Sequence, residues 1–193
     1  GIIEIDGTMI ASANAGVRDV KLSQITGGQV LDEYGRAHRT GMAKERKFKH
    51  LVKQLKPPIV VFCQYIHEVE ALEAILRTHY DRVAILRGNV KSSDRPRILN
   101  DFQSNKLDAI VCQTRTGGVS IEFTASDTLV LYSMNYSYID FDQIIHRLHR
   151  GGQQKAVSVF SLFCVNTIDE DKIDAIQRKS QTVTSVVSHF ERR

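Results

Sequence analysis

Gln143, Arg147 and Arg150 stand at i, i+4 and i+7 in the stretch that runs from Phe141 to Gln153. On a helix that spacing puts all three on one face, while Phe141, Ile144, Ile145 and Leu148 fall on the other at the spacing of a helix seated on a core. Two arginines presented this way form a cationic fork, able to neutralise the charge that spreads over a transferring phosphoryl group. A second group lies upstream: Thr114, Arg115, Thr116, Gly117 and Gly118 directly follow an apolar run, Ala109–Cys112. Glycines there let a backbone approach a phosphate closely, and the hydroxyls and amides can donate to it. A Gly-Gly turn after a strand is common, so this signal is weak alone. Together the two groups point to nucleotide hydrolysis or nucleic-acid handling rather than small-molecule metabolism.

The elements that must position them follow from the chain's apolar pattern. At 193 residues the chain is one domain or one large lobe, long enough to bury about 70 % of its unfolded surface. No apolar run is long enough to span a bilayer, and the opening Gly1–Asp6 lacks the basic head and hydrophobic middle of a secretory signal. A net charge of +4 hints mildly at a polyanionic partner. Much of the excess lies in Lys44–His50, where Phe48, Leu51, Val52 and Leu55 supply a buried face, so the basic residues are expected to point outward. Cys63, Cys112 and Cys164 lie far apart in apolar segments and read as core residues of a reducing compartment. His146 and His149 share a helix but have no third ligand, so no metal site is expected.

Residues 1–12 show no strong period and read as a leading segment. Residues 13–56 form an N-terminal extension: a helix over about Ala13–Ile25 stopping at Gly27 and Gly28, a short hairpin or loop around Glu33–Gly35, and the basic helix, about Ala43–Leu55. From 57 to 165 strands and helices alternate. Ile59–Cys63, Val83–Leu86, Ala109–Cys112, Thr128–Tyr132 and Val157–Phe163 read as strands. His67–Thr78 and Ser92–Phe102 read as helices, the latter with Ser93 or Asp94 as cap, and the arginine helix lies between the last two strands. A long polar helix, about Asp169–Phe190, fills most of 166–193. Such alternation predicts an α/β fold, a mostly parallel sheet with helices on both faces. Ligands then collect at the carboxyl ends of the strands. Gln64 and Tyr65, Arg87–Asn89, Gln113–Gly118 and Ser133–Asn135 fall on that rim.

In this order the segments resemble the second RecA-like lobe of superfamily-two helicases, in particular the Swi/Snf-type DNA translocases. Ile59–Gln64 resembles motif IV, with Cys63 where Ser is usual. Gly88, Arg95 and Phe102 repeat the family's spacing in the next segment. Cys112–Asp127 resembles motif V, with Ser120 and Phe123 departing from the common Gly and Leu. Gln143, Arg147, Arg150, Gly152 and Gln153 match the signature of motif VI, with Gly151 replacing a bulky residue. Leu22–Gly28 looks like the segment before motif IV in phage and bacterial members. The likeness covers about 13–165 and implies a three-layer RecA-like lobe.

The resemblance also implies roles. Arg147 and Arg150 would be arginine fingers, with Gln143 coupling the cleft to lobe closure. Gly117, Gly118, Gly152 and Gln153 would line the nucleotide cleft. Gln64, Arg87, Gly88, Asn89, Arg95, Thr114 and Arg115 would grip one strand of duplex DNA by its phosphates, without reading sequence. ATP and Mg²⁺ would be held mainly by an N-terminal RecA-like lobe. This chain has no Gly-x-x-x-x-Gly-Lys-Ser/Thr loop, and its acidic pairs, Asp32–Glu33 and Asp169–Glu170, are not placed at strand ends to hold magnesium. The chain thus reads as the C-terminal half of an ATPase, inactive alone, with no membrane partner. Its expected place is the cytoplasm of a bacterial or phage-infected cell, or a nucleus if eukaryotic. The rival reading is a binding module that keeps the helicase-like shape without the chemistry; the ion-pair alternative for the arginines is Asp140 or Asp142.

Overall fold

The computed structural model describes residues 2–5, 7–114, 121–151 and 153–190. A five-stranded parallel sheet forms the centre, from β5 (Ile59–Cys63), β6 (Val83–Leu86), β7 (Ala109–Gln113), β8 (Thr128–Leu131) and β9 (Ser158–Ser161) in the order β6-β7-β5-β8-β9. β5 lies at the middle, with Val61 opposite Val111 on one side and Val130 on the other. All five of its residues are buried, as the unbroken apolar run requires of a strand covered on both faces.

Side chains alternate between the two faces. Ile59, Val61 and Cys63, with Val111, Val130 and Tyr132, pack under Phe48 and Val52 of α2 (Ala43–Val52) and Val69, Leu72 and Leu76 of α3 (Ile66–Leu76). Val60 and Phe62, with Ile110, Leu129 and Leu131, pack under Phe102 of α4 (Arg95–Gln103) and Ile144 and Leu148 of α5 (Tyr138–Leu148). This is the three-layer α/β arrangement expected from the alternation. Phe123 locks the second face, meeting Phe62 and Phe102 edge-on at 6.0 and 5.5 Å.

The N-terminal part adds β1 (Ile2–Ile5) paired with β2 (Thr8–Ala11), α1 (Ala15–Thr26), and the hairpin of β3 (Gln29–Leu31) and β4 (Ala37–Arg39). Asn14 caps α1 by accepting from the Val17 amide at 2.9 Å. Gly27 ends it where a Cβ would stand 2.4 Å from Glu68 Oε1, so any side chain here would displace the Glu68 carboxylate. The hairpin turn is tied by buried Asp32, which accepts from the Tyr34 and Arg36 amides, the Arg36 guanidinium and His38. Burial alone would raise its pKa; the hydrogen bonds from His38, Arg36 and Tyr34 outweigh that and hold the carboxyl far below its usual range.

Several expectations are corrected. Ile2–Ile5 and Thr8–Ala11 pair as antiparallel strands; two four-residue strands are too short to show a period. α2 stops at Val52, three residues early, and Lys44 is buried, not outward. Its ammonium donates to Asp169 at 2.6 Å, and Asp169 also accepts from Thr26 and the Cys164 amide. This buried bridge ties α2 and α1 to the head of α6 (Ile168–Phe190). α4 starts at Arg95 rather than Ser92, and Asp94 at its N-cap makes no side-chain capping bond.

Candidate functional site

The carboxyl ends of the strands are held in register by one buried acid. Glu68 Oε2 accepts from the Gln64 and Tyr65 amides at 3.0 and 2.9 Å and from the Ser133 hydroxyl. Ser133 Oγ also accepts from the Gln64 amide at 2.8 Å. The loops after β5 and β8 are thereby fixed to each other. Burial pushes the Glu68 carboxyl above its ordinary value, against the opposing pull of these donors and of Lys44. Glu68 was absent from the residues picked out of the sequence, although a Glu three places after the Tyr65 cap has the spacing of a capping box.

Around this anchor the structure gathers the rim residues. Gln113 Nε2 donates to the Gln64 carbonyl at 3.2 Å. Thr114 sends both its amide and its hydroxyl to the Cys63 carbonyl, at 2.8 and 3.0 Å. It therefore splices β7 to β5, and its hydroxyl proton is engaged in that bond. Arg87 reaches Glu70 at 3.2 Å. Gly88 and Asn89 are exposed, with open space around Gly88. Arg95 donates to the Val90 and Gly88 carbonyls at 3.1 and 3.0 Å, so it shapes this turn from beneath. Arg115, Gly117, Gly118 and Gly152 lie outside the described residues.

The arginine segment departs from the expected fork. α5 keeps its apolar face down, with Ile144 and Leu148 buried and Phe141 and Ile145 packed beside them. Ser137 caps its start, accepting from the Asp140 amide at 3.2 Å. The helix ends at Leu148, and His149 leaves it with ψ 77°. Arg150 thus stands beyond the helix, and only Gln143 and Arg147 share its surface. The break is tertiary: the Arg147 carbonyl, which would serve a next turn, accepts instead from the Phe123 amide at 2.8 Å.

Gln143 is exposed. Arg147 is half-buried, its guanidinium 5.8 Å from the centre of the Phe62 ring, at the level where Phe62 pairs with Cys112. Burial pushes the Cys112 thiol up, with Arg147 opposing. Arg150 pairs with Glu122, both side chains about half exposed. Asp140 and Asp142 hold neither arginine: Asp140 accepts from Asn135 at 2.6 Å, and Asp142 faces His146 at 3.5 Å. Gln153 donates to the Thr124 and Ser126 carbonyls at 3.2 and 2.8 Å. Ser126 in turn donates to Pro58, before β5. Gln153 is therefore bound at the amino ends of the strands, across the sheet from Gln64 and Thr114.

No group of three or more His, Cys, Asp or Glu side chains that could hold a metal occurs among the described residues. No helix among them is long and apolar enough to cross a membrane.

Residues 43–152, more than half of the chain, match the helicase conserved C-terminal domain. The chain is 30% identical over 131 residues to the chromatin-remodeling ATPase INO80 of Homo sapiens, covering 67% of this chain and 8% of that protein. It is 30% identical over 146 residues to its Saccharomyces cerevisiae counterpart, covering 74% and 10%. It therefore spans about a tenth or less of the length of these relatives. In fold it is similar to the C-terminal part of the Fun30 ATPase domain, with TM-score 0.64 and 23% identity over 70% of this chain and 46% of that one. It is also similar to the C-terminal domain of the DEAD-box protein Dbp5, with TM-score 0.59 and 18% identity over 70% and 78%. The INO80 relatives are eukaryotic, and the phage and bacterial leaning rests on sequence features alone.

Proposed function

The chain belongs to the helicase conserved C-terminal domain family, and we propose that it is the second motor lobe of an ATP-dependent, Swi/Snf-type DNA translocase. In this reading Arg147 and Arg150 serve the triphosphate held by a companion RecA-like lobe. The observation that carries it is the unequal seating of the two arginines. Arg147 is fixed over Phe62, whereas Arg150 leaves a rigid helix end paired with the half-exposed Glu122. An exposed pair of this kind is worth about 0–1 kcal/mol, so an incoming phosphate can take the place of Glu122. An arginine so placed contributes roughly 10³–10⁵ in rate in related phosphoryl transfers.

The companion lobe would hold ATP and Mg²⁺, and ATP bound there would supply the phosphoryl group. Duplex DNA would cross the carboxyl rim near Gly88, Asn89 and the Thr114 splice, gripped by its phosphates. Gly117, Gly118 and Gly152 would line the nucleotide cleft, Arg115 would join the grip on DNA, and Gln143 would couple the cleft to lobe closure. Gln153 would contribute by anchoring the chain after Arg150 rather than by touching nucleotide. The working compartment is wherever that DNA lies, a nucleus in a eukaryote.

Titration of a labelled DNA duplex with the 193-residue chain at increasing salt tests the DNA part. Affinity is expected to fall linearly on a log–log plot, since released counterions drive phosphate binding. A flat response would assign the rim to a protein partner and favour the inert docking module.

A further inference from the structure

A cavity of about 530 Å³ opens beside the carboxyl rim, between α1, the β3–β4 hairpin and the start of α3. Val20, Leu31 and Ile66 give it apolar walls, and Gln29, Gln64 and Gln113 also line it. The Tyr65 and His67 rings, also in its lining, stack on each other with centroids 5.5 Å apart and planes within 5°. Gln64 and His67 of this lining each carry a buried polar atom, Oε1 and Nε2, with no hydrogen-bond partner among the described residues. Burial lowers the His67 pKa, so the ring is neutral near pH 7 and Nε2 can act as donor or acceptor.

A flat aromatic pair, apolar walls and glutamines in the lining suit a ligand that is planar, uncharged and able to hydrogen-bond along its rim. Nucleobases have that chemistry, and pockets for extruded bases are built from these parts. The formal charge in the lining is the Glu70 carboxylate, which also faces Arg87. A carboxylate there disfavours a phosphate entering with its base. A base swung in from a strand whose phosphates stay on the rim meets no such penalty.

We propose that this cavity receives one unstacked nucleobase, delivered by the DNA strand that crosses the carboxyl rim. The strand as source rests on the DNA reading above; the base chemistry rests on the cavity alone. Because α1 and the hairpin supply half of its walls, the N-terminal extension becomes part of the site.

The test uses the 193-residue chain, which contains no tryptophan to interfere, and three probes. They are a dye-labelled single strand with one 2-aminopurine, the same strand with an abasic position there, and free 2-aminopurine deoxyriboside. Dye anisotropy reads strand retention, and aminopurine emission reads stacking of the base. Emission is expected to drop on binding, and the abasic strand to bind about tenfold more weakly. Tyr65→Leu is expected to abolish the emission change while the strand is still retained. If that variant does not fold, Ala37→Leu fills the cavity from the exposed hairpin edge with the same expected loss. Retention with unchanged emission and equal affinity for the abasic strand overturns the base pocket and leaves the DNA reading standing. Quenching of the free deoxyriboside without strand retention keeps the base chemistry but overturns the strand as its source, while the duplex reading is decided by the duplex titration above. The absence of both signals overturns the base pocket and the strand as its source alike.

Discussion

Arg147 holds its guanidinium over the face of Phe62, 5.8 Å from the ring centre, while Arg150, three residues on, pairs with the half-exposed Glu122. One arginine is seated in the lobe and the other is displaceable, which gives the two different consequences on substitution. Arg147→Ala is expected to cost about 1–2 kcal/mol of stability, from the lost cation–ring contact and lost cover of the core. Arg150→Ala is expected to cost under about 0.5 kcal/mol. Urea unfolding of both variants measures this, and equal losses would contradict the unequal seating.

Glu68 makes stability depend on pH in a stated direction. Burial raises its folded pKa above 4.5, so over the interval between those values the folded chain binds more protons than the unfolded one. The slope of stability with pH is then negative. The Glu68 contribution is full below 4.5 and is lost as pH rises through the folded value. His67 acts oppositely: its folded pKa lies below 6.5, so its contribution is lost as pH falls through that window. Glu68→Gln retains an acceptor for the Gln64 and Tyr65 amides and removes the ionisation. Unfolding midpoints across this range should be flatter for the variant above pH 4.5; identical profiles would show that Glu68 titrates as an ordinary carboxylate.

The Lys44–Asp169 bridge joins positions 125 residues apart, both nearly buried. Removing Lys44 takes the paired cation from a buried carboxylate that keeps its bonds from Thr26 and the Cys164 amide and has Lys172 near it, so the cost is expected below the roughly 3–5 kcal/mol of a lone buried charge. Lys44→Met should still lower the urea midpoint. Adding Asp169→Asn, which removes the remaining charge, should restore part of the loss. A single-variant cost below about 1 kcal/mol would mean the pair is solvated in solution.

The parallel sheet was legible because Ile59–Cys63 and its partners are unbroken apolar runs, and the seated face of α5 because its apolar residues recur at helical spacing. Where side chains answer to distant partners the reading failed. Nothing local says that Lys44 turns inward, since Asp169 lies far along the chain. Nor do Leu148 and His149 announce a helix end; that end is fixed by the Phe123 amide taking the Arg147 carbonyl. The N-terminal strand pair did leave a mark, since an Asp-Gly pair between two isoleucine-bearing runs is a turn signal. Among the rim residues, position was legible and engagement was not: Thr114, Arg95 and Gln153 lie on hydrogen bonds to backbone carbonyls that only the folded chain brings near.

The most direct measurement of the motor assignment is made in a complete protein that carries this lobe. Arg150→Ala is compared with the unaltered protein for DNA-stimulated ATP hydrolysis and, in parallel, for DNA affinity. Hydrolysis is expected to fall by roughly 10³-fold with DNA affinity held within about twofold. Hydrolysis at the normal rate, or lost DNA binding with basal hydrolysis intact, would contradict the role of this arginine at the nucleotide.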